Sequence, residues 1–180
     1  HFPEDHNRLA KAQYRLKFEE FFYIQLRLLK LKLTRFEKLK GLKLTSTSLL
    51  TRFYNDHLPF QLTEAQKRVI REIYHDLRSG HQMNRLLQGD VGSGKTIVAF
   101  LSMLISIDNH AQAALMAPTE ILAEQHFKNL SEFTGKLGLE IALLTGSTRK
   151  TVRKKVQESL ADGKIHIMVG THALIEEDVR

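Results

Sequence analysis

From residue 85 onward the chain alternates short apolar runs, at 85–88, 113–117, 141–145 and 165–169, with longer amphipathic stretches at 95–107, 121–133 and 149–160. A run of about five apolar residues is too short for a self-burying helix and suits a strand covered on both faces. The stretches between carry apolar residues at helical spacing. Strands separated by helices join as β-α-β units, so the pattern predicts an α/β protein whose parallel sheet is covered by helices on both faces. No internal repeat or low-complexity tract interrupts it.

The first third is built differently. Residues 7–40 hold no Gly or Pro, and Phe18, Phe22, Leu26, Leu29, Leu33 and Phe36 recur at helical spacing, with Phe21, Ile24, Leu28 and Leu31 widening the apolar arc. A helix this broadly apolar is expected to pack against more than one neighbour. Residues 26–33 also alternate as a strand does, although the stretch is read as helix with the rest. Gly41 ends the element, the Thr- and Ser-rich run 45–48 reads as a turn, and a short amphipathic helix follows around 49–53. After Pro59, residues 63–77 read as a helix capped by Thr63, with Val69, Ile70, Ile73 and Leu77 on its apolar face and Gly80 at its end. These signals divide the chain into a helical lead-in, 1–58, and an α/β part, 59–180.

Composition narrows the chemistry. The 180 residues carry 27 Lys and Arg against 20 Asp and Glu, a formal +7, and no Cys. That excludes a disulfide framework, a thiolate zinc site and a cysteine nucleophile. The 9 His include no His-Glu-x-x-His pair, so a metal held by protein side chains alone is not expected. Residues 1–60 hold 12 basic and 6 acidic side chains, and the remainder holds 15 and 14. An anionic partner such as nucleic acid explains such an excess, and so does a solvated helix face. No apolar run reaches the roughly 18 residues needed to span a bilayer, and nothing at the start reads as a signal peptide. With His1 rather than Met at its start, the chain is expected to be a piece of a longer intracellular protein.

Gly89-Asp90-Val91-Gly92-Ser93-Gly94-Lys95-Thr96 satisfies G-x-x-x-x-G-K-[ST], between a predicted strand and a predicted helix. The glycines let the backbone turn tightly enough for successive N–H groups to face phosphate oxygens, and the helix N-terminus adds partial positive charge. Lys95 can then reach the β- and γ-phosphates while the Thr96 hydroxyl ligates Mg²⁺, which makes these two the catalytic candidates. The dinucleotide fingerprint fails, because Ile97 stands where its third glycine belongs, and a hydride-transfer enzyme is disfavoured.

Phosphate loops serve many enzymes, and the flanking segments choose among them. Pro59-Phe60-x-Leu62-Thr63-x-Ala65-Gln66 precedes the loop. Ala117-Pro118-Thr119-Glu120-Ile121-Leu122-Ala123-x-Gln125-His126, Leu144-Thr145-Gly146-Ser147 and Val169-Gly170-Thr171-His172-Ala173-Leu174-Ile175 follow it. In order and content this series resembles the first motor domain of the superfamily-two helicases, in particular the bacterial ATP-dependent kind that remodels branched DNA. The resemblance covers 59–175, and the residues from His1-Phe2-Pro3 onward resemble that family's link to its DNA-binding wedge domain.

The resemblance implies a RecA-like phosphate-loop NTPase sheet, incomplete here, preceded by an α-helical segment. It implies ATP with Mg²⁺ as cofactors, adenine recognition by Gln66, and Phe60 packed near the base. An amide suits adenine because it donates and accepts at once. Thr63-x-x-Gln66 is also the spacing of a capping box, in which Gln66 only secures a helix start. Pro118, Thr119 and Glu120, then Thr145, Gly146 and Ser147, then Thr171 and His172, match the family's DNA motifs. All fall where predicted strands end, the edge at which open α/β sheets bind ligands, and hydroxyls and helix-start amides there can hold phosphates without reading bases. An ordinary helix cap explains each one singly. The basic run Arg149-Lys150-Thr151-Val152-Arg153-Lys154-Lys155 reads mostly as a solvated face, with Arg149, Lys150 and Arg153 available to phosphates.

The family's acidic Asp-Glu pair, its second motor domain with arginine fingers and its wedge domain are expected outside these residues. The chain alone is therefore expected to bind ATP and hydrolyse it negligibly. The parent is expected to act as a monomer on branched double-stranded DNA in the bacterial cytoplasm, at the nucleoid. An unpaired edge beside the phosphate-loop strand would let this chain self-associate. Two rival functions stand beside this one: a related translocase of the transcription-repair coupling or primosomal type, and a non-catalytic DNA-binding module whose loop takes no nucleotide.

Overall fold

The structure is a computed structural model and describes residues 5–175, except for the side chains at 35–38. The elements are α1 (His6–Lys38), α2 (Ser48–Asp56), α3 (Glu64–Arg78), α4 (Lys95–Asp108), β1 (Ala113–Met116), α5 (Glu120–Leu137), β2 (Ile141–Leu144), α6 (Lys150–Ala161) and β3 (Ile167–Gly170), closed by a 3-10 turn at His172–Ile175. The strands form a parallel sheet in the order β1-β3-β2, with Ala113 and Ile141 both opposite Ile167. The strand latest in sequence is thus central, and all of β3 is buried.

Alternation along β3 divides its side chains between two cores. Ile167 and Val169 join the main core with α4 and α5, whereas Met168 packs with Leu144 and Ile165 against Val156 and Leu160 of α6. The expected covering of both faces is present there and fails at β1. Ala114 and Met116 stand exposed while Ala113 and Leu115 are half-buried, so β1 is covered on one face only.

The strand predicted at 85–88 does not form. A strand exists through its ladder, and no described strand lies beside this segment. Arg85 instead reaches α3, pairing with Asp76 at 2.5 Å and Glu72 at 2.8 Å, and Leu86 is 90% exposed. Leu87 alone packs against the main core.

The lead-in divides into a part that is packed and a part that is not. Phe53 of α2 is fully buried, with its ring centroid 5.0 Å from Phe100 of α4 and 5.3 Å from Phe133 of α5, both edge-on. Such edge-to-face pairs are each worth about 0.5–1.5 kcal/mol beyond area burial. α1 is helical throughout, which settles 26–33 as helix. Its expected neighbours are missing, however. None of its described side chains is buried, and Phe18, Phe21, Phe22, Ile24, Leu26, Leu28, Leu29, Leu31 and Leu33 all stand exposed. Nothing among the described residues supplies a surface for that arc; Phe36 lies outside the described side chains.

Candidate functional site

The phosphate loop runs from the non-ladder segment into α4. Gly92 and Gly94 both sit in the left-handed region, at φ +82° and +78°, and Val91 at the tip is fully exposed. Gly94 caps α4 through its backbone, and a Cβ there would collide with the Gln66 amide nitrogen. Lys95, first residue of the helix, folds back so that its Nζ donates to the Gly89 carbonyl at 2.8 Å and the Asp90 carbonyl at 2.7 Å. Those two oxygens occupy the ammonium as phosphate oxygens can. Because Ser93 N–H is bonded back to Asp90 O at 3.2 Å, the loop already has its tight concave turn. The first N–H groups of α4 have no helical partner by geometry, and donors of this kind at a helix start suit an anion.

Gln66 reaches this loop from α3. Thr63 Oγ1 accepts from Gln66 N–H at 3.2 Å and Gln66 Oε1 accepts from Thr63 N–H at 2.9 Å, so the capping box is formed. The remaining amide donor of the same side chain goes to Ser93 O at 2.9 Å, across to the phosphate loop. Beside Thr96, a cavity of about 300 Å³ is lined by Phe60, Gly94, Thr96, Ile97, Asn129 and Phe133, among others. The structure therefore brings Phe60, Gln66, Gly89, Asp90, Val91, Gly92, Ser93, Gly94, Lys95 and Thr96 into one neighbourhood.

The other predicted residues gather at the carboxyl ends of the three strands. Pro118, Thr119 and Glu120 follow β1; Thr145, Gly146 and Ser147 follow β2; Thr171 and His172 follow β3. Thr119 caps α5, its Oγ1 accepting from Leu122 N–H at 3.3 Å. Glu120 spans two of the segments: Ser147 N–H donates to its Oε1 at 3.0 Å and Ser147 Oγ to its Oε2 at 2.8 Å. These bonds, the Ser147 hydroxyl foremost and then its backbone N–H, hold the Glu120 carboxyl below its usual pKa. Thr145 is buried, and its Oγ1 lies 3.0 Å from Ser147 Oγ. Thr171 is also buried, and its hydroxyl has no hydrogen-bond partner among the described residues. That unpaired hydroxyl lies just past the carboxyl end of β3. His172 is exposed at the start of the 3-10 turn.

The basic run 149–155 is mostly exposed, as expected, while Arg153, one of the three side chains the sequence singled out in it, sends Nη2 to Thr145 O at 3.2 Å and braces the loop after β2. Two residues escaped sequence reasoning. Asp108 and Asn109 close α4 against the lead-in. Ser48 N–H and the Ser46 hydroxyl donate to Asp108, while Asn109 Oδ1 accepts from Thr45 N–H at 2.8 Å and Ser46 N–H at 3.0 Å. Asn109 Nδ2 in turn donates to Ser46 O at 2.9 Å and Ile105 O at 2.7 Å. The available signal was an Asp-Asn pair past an apolar helix; it named no partner.

Known proteins resemble this chain along nearly its whole length. The chain is 46% identical over 179 residues to the ATP-dependent DNA helicase RecG of Synechocystis sp., covering 99% of itself and 22% of that protein. It is 47% identical over 180 residues to the same helicase of Bacillus subtilis, covering 99% of itself and 26% of that protein. The solved structure of RecG bound to a three-way DNA junction superposes with a TM-score of 0.88 at 44% identity, over 100% of this chain and 25% of that one. The chain thus spans about a quarter of the length of the relatives it matches. DEAD/DEAH box helicase is the family whose pattern matches residues 63–179, most of the α/β part. With a phosphate loop opening α4 and donors ranged along one sheet edge, this chain belongs to the DEAD/DEAH box helicase family.

Proposed function

We propose that this chain is the nucleotide-gripping part of an ATP-dependent DNA helicase that remodels branched duplexes, such as stalled forks and Holliday junctions, in bacterial repair and recombination. The observation that carries this reading is the juxtaposition of a preformed phosphate loop with strand ends rich in hydroxyls and amides, in a chain that follows RecG relatives along 99% of its length. On this reading 59–180 is the start of the first motor domain and 1–58 its lead-in.

In that role Lys95 exchanges the Gly89 and Asp90 carbonyls for β- and γ-phosphate oxygens, and Thr96 offers its hydroxyl to Mg²⁺. Phe60 and Gln66 face the base, with Gln66 linking base to phosphate loop through Ser93. Pro118, Thr119, Glu120, Thr145, Gly146, Ser147, Thr171 and His172 line a path for the DNA backbone, whose phosphates the donors among them hold without reading its sequence. Hydrolysis needs an acidic pair and arginine fingers that these elements do not include, so this chain alone binds ATP without turning it over.

Titration with a fluorescent, non-hydrolysable ATP analogue tests the reading. Binding should weaken at least about tenfold, or about 1.4 kcal/mol, in Lys95→Ala, and should weaken when Mg²⁺ is chelated. An unchanged affinity in a Lys95→Ala chain that keeps its helical circular dichroism removes the nucleotide assignment.

A further inference from the structure

Glu120 is acidic on a face otherwise suited to phosphates. It is the first residue of α5, and its two carboxylate oxygens take the backbone N–H and the hydroxyl of Ser147. A phosphate of the DNA backbone requires those same donors: one amide, one hydroxyl and a helix start. Gly146 lets the carboxylate sit close against the loop, since a Cβ there would lie 3.3 Å from Glu120 Oε1, a tight contact. Arg153 and Thr148 also hold the loop, through Thr145 O at 3.2 Å and Thr145 N–H at 2.9 Å, so Glu120 is not its sole tie. Both Gly146 and Ser147 are exposed, and a carboxylate seated there is within reach of any competing anion.

We propose that Glu120 is a positioning residue whose carboxylate stands in for a DNA phosphate on Ser147 while DNA is absent and swings away when the loop takes a phosphate. The exchange links the ends of β1 and β2. A phosphate seated after β2 frees the side chain at the start of α5, so neither segment engages DNA alone. The proposal rests on the reading of this edge as a DNA path. It also predicts that Glu120 itself makes no bond to the DNA backbone, because a carboxylate is acceptor-only.

The test compares Glu120→Gln with Glu124→Gln, an exposed residue one turn further along α5 that carries the same charge. Affinity for a fluorescein-labelled duplex is read by anisotropy, and the Ser147 amide by nitrogen-15 NMR during titration with duplex and, separately, with inorganic phosphate. Glu120→Gln should bind duplex about three- to tenfold more tightly than the parent chain, with Glu124→Gln within about twofold of it. The Ser147 amide should move in the parent on saturation, and should respond to inorganic phosphate at lower concentration in Glu120→Gln. Equal gains from the two variants reduce the effect to bulk charge and overturn the proposal. So does a Ser147 amide in the parent that ignores both duplex and phosphate. A parent that binds no duplex, yet shows the stronger phosphate response in Glu120→Gln, overturns the DNA path and leaves the exchange standing.

Discussion

Gln66 answers separate demands with one amide. Its oxygen closes the capping box on Thr63, and its nitrogen reaches Ser93 in the phosphate loop. The first contact spans 3 residues and was legible in the Thr63-x-x-Gln66 spacing; the second spans 27 and was not, because nothing local encodes which loop a helix start will face. Removing the side chain should act on both. Gln66→Ala is expected to lose about 1 kcal/mol of stability through the cap, measured by urea unfolding of the nucleotide-free chain, and to bind the ATP analogue several-fold more weakly. Equal analogue affinities for variant and parent would leave Gln66 a cap and a loop brace, with no part in recognising adenine. Phe60 was legible in the same way, from its place in the motif; its share of a cavity with Thr96 came from tertiary structure alone.

Among the elements, periodicity fixed the helices from α3 to α6 and the three strands within a few residues, because each has a face that must be buried. It failed where burial and ladder come from elsewhere. The 85–88 segment has the composition of a strand and no described neighbour to pair with, and α1 has the composition of a core helix and no described core around it. The junction of α2 with α4 was invisible for a different reason. Asp108 and Asn109 meet residues 45–48 across separations of 60 to 64 positions. Asn109 satisfies two backbone donors and two backbone acceptors there. Asn109→Ala leaves those groups unpaired, partly buried, and should cost about 1–3 kcal/mol. The urea midpoint reports the loss, and amide exchange at 45–48 should rise with it. An unchanged midpoint would mean that water replaces the side chain at no cost.

At the scale of the whole molecule, apolar surface is distributed unevenly. The main core knits α2, α3, α4, α5 and the sheet together, while α1 carries its phenylalanines and leucines in the open. A contiguous exposed apolar face of this kind drives association. The chain should therefore self-associate in sedimentation velocity as its concentration rises, and deleting residues 1–38 should restore a monomer. Association that survives the deletion would place the contact at the unpaired region around 85–88, where the sequence first suggested it. The place of the phosphate loop at the start of α4 and of the three flanking segments at the strand ends was legible from residue types at fixed spacing; the partners of α1 are a matter of shape, which spacing does not carry.

α4 holds both ends of this arrangement. Lys95 stands at its start, Asp108 and Asn109 at its finish, and its 14 residues make a rod about 21 Å long. Most of its side chains are buried, so it has little room to bend or fray. Mechanically it is a strut. A load applied to the lead-in at residues 45–48 reaches the loop at 89–94 as displacement of one stiff piece, and any displacement of that loop reaches the lead-in by the same member.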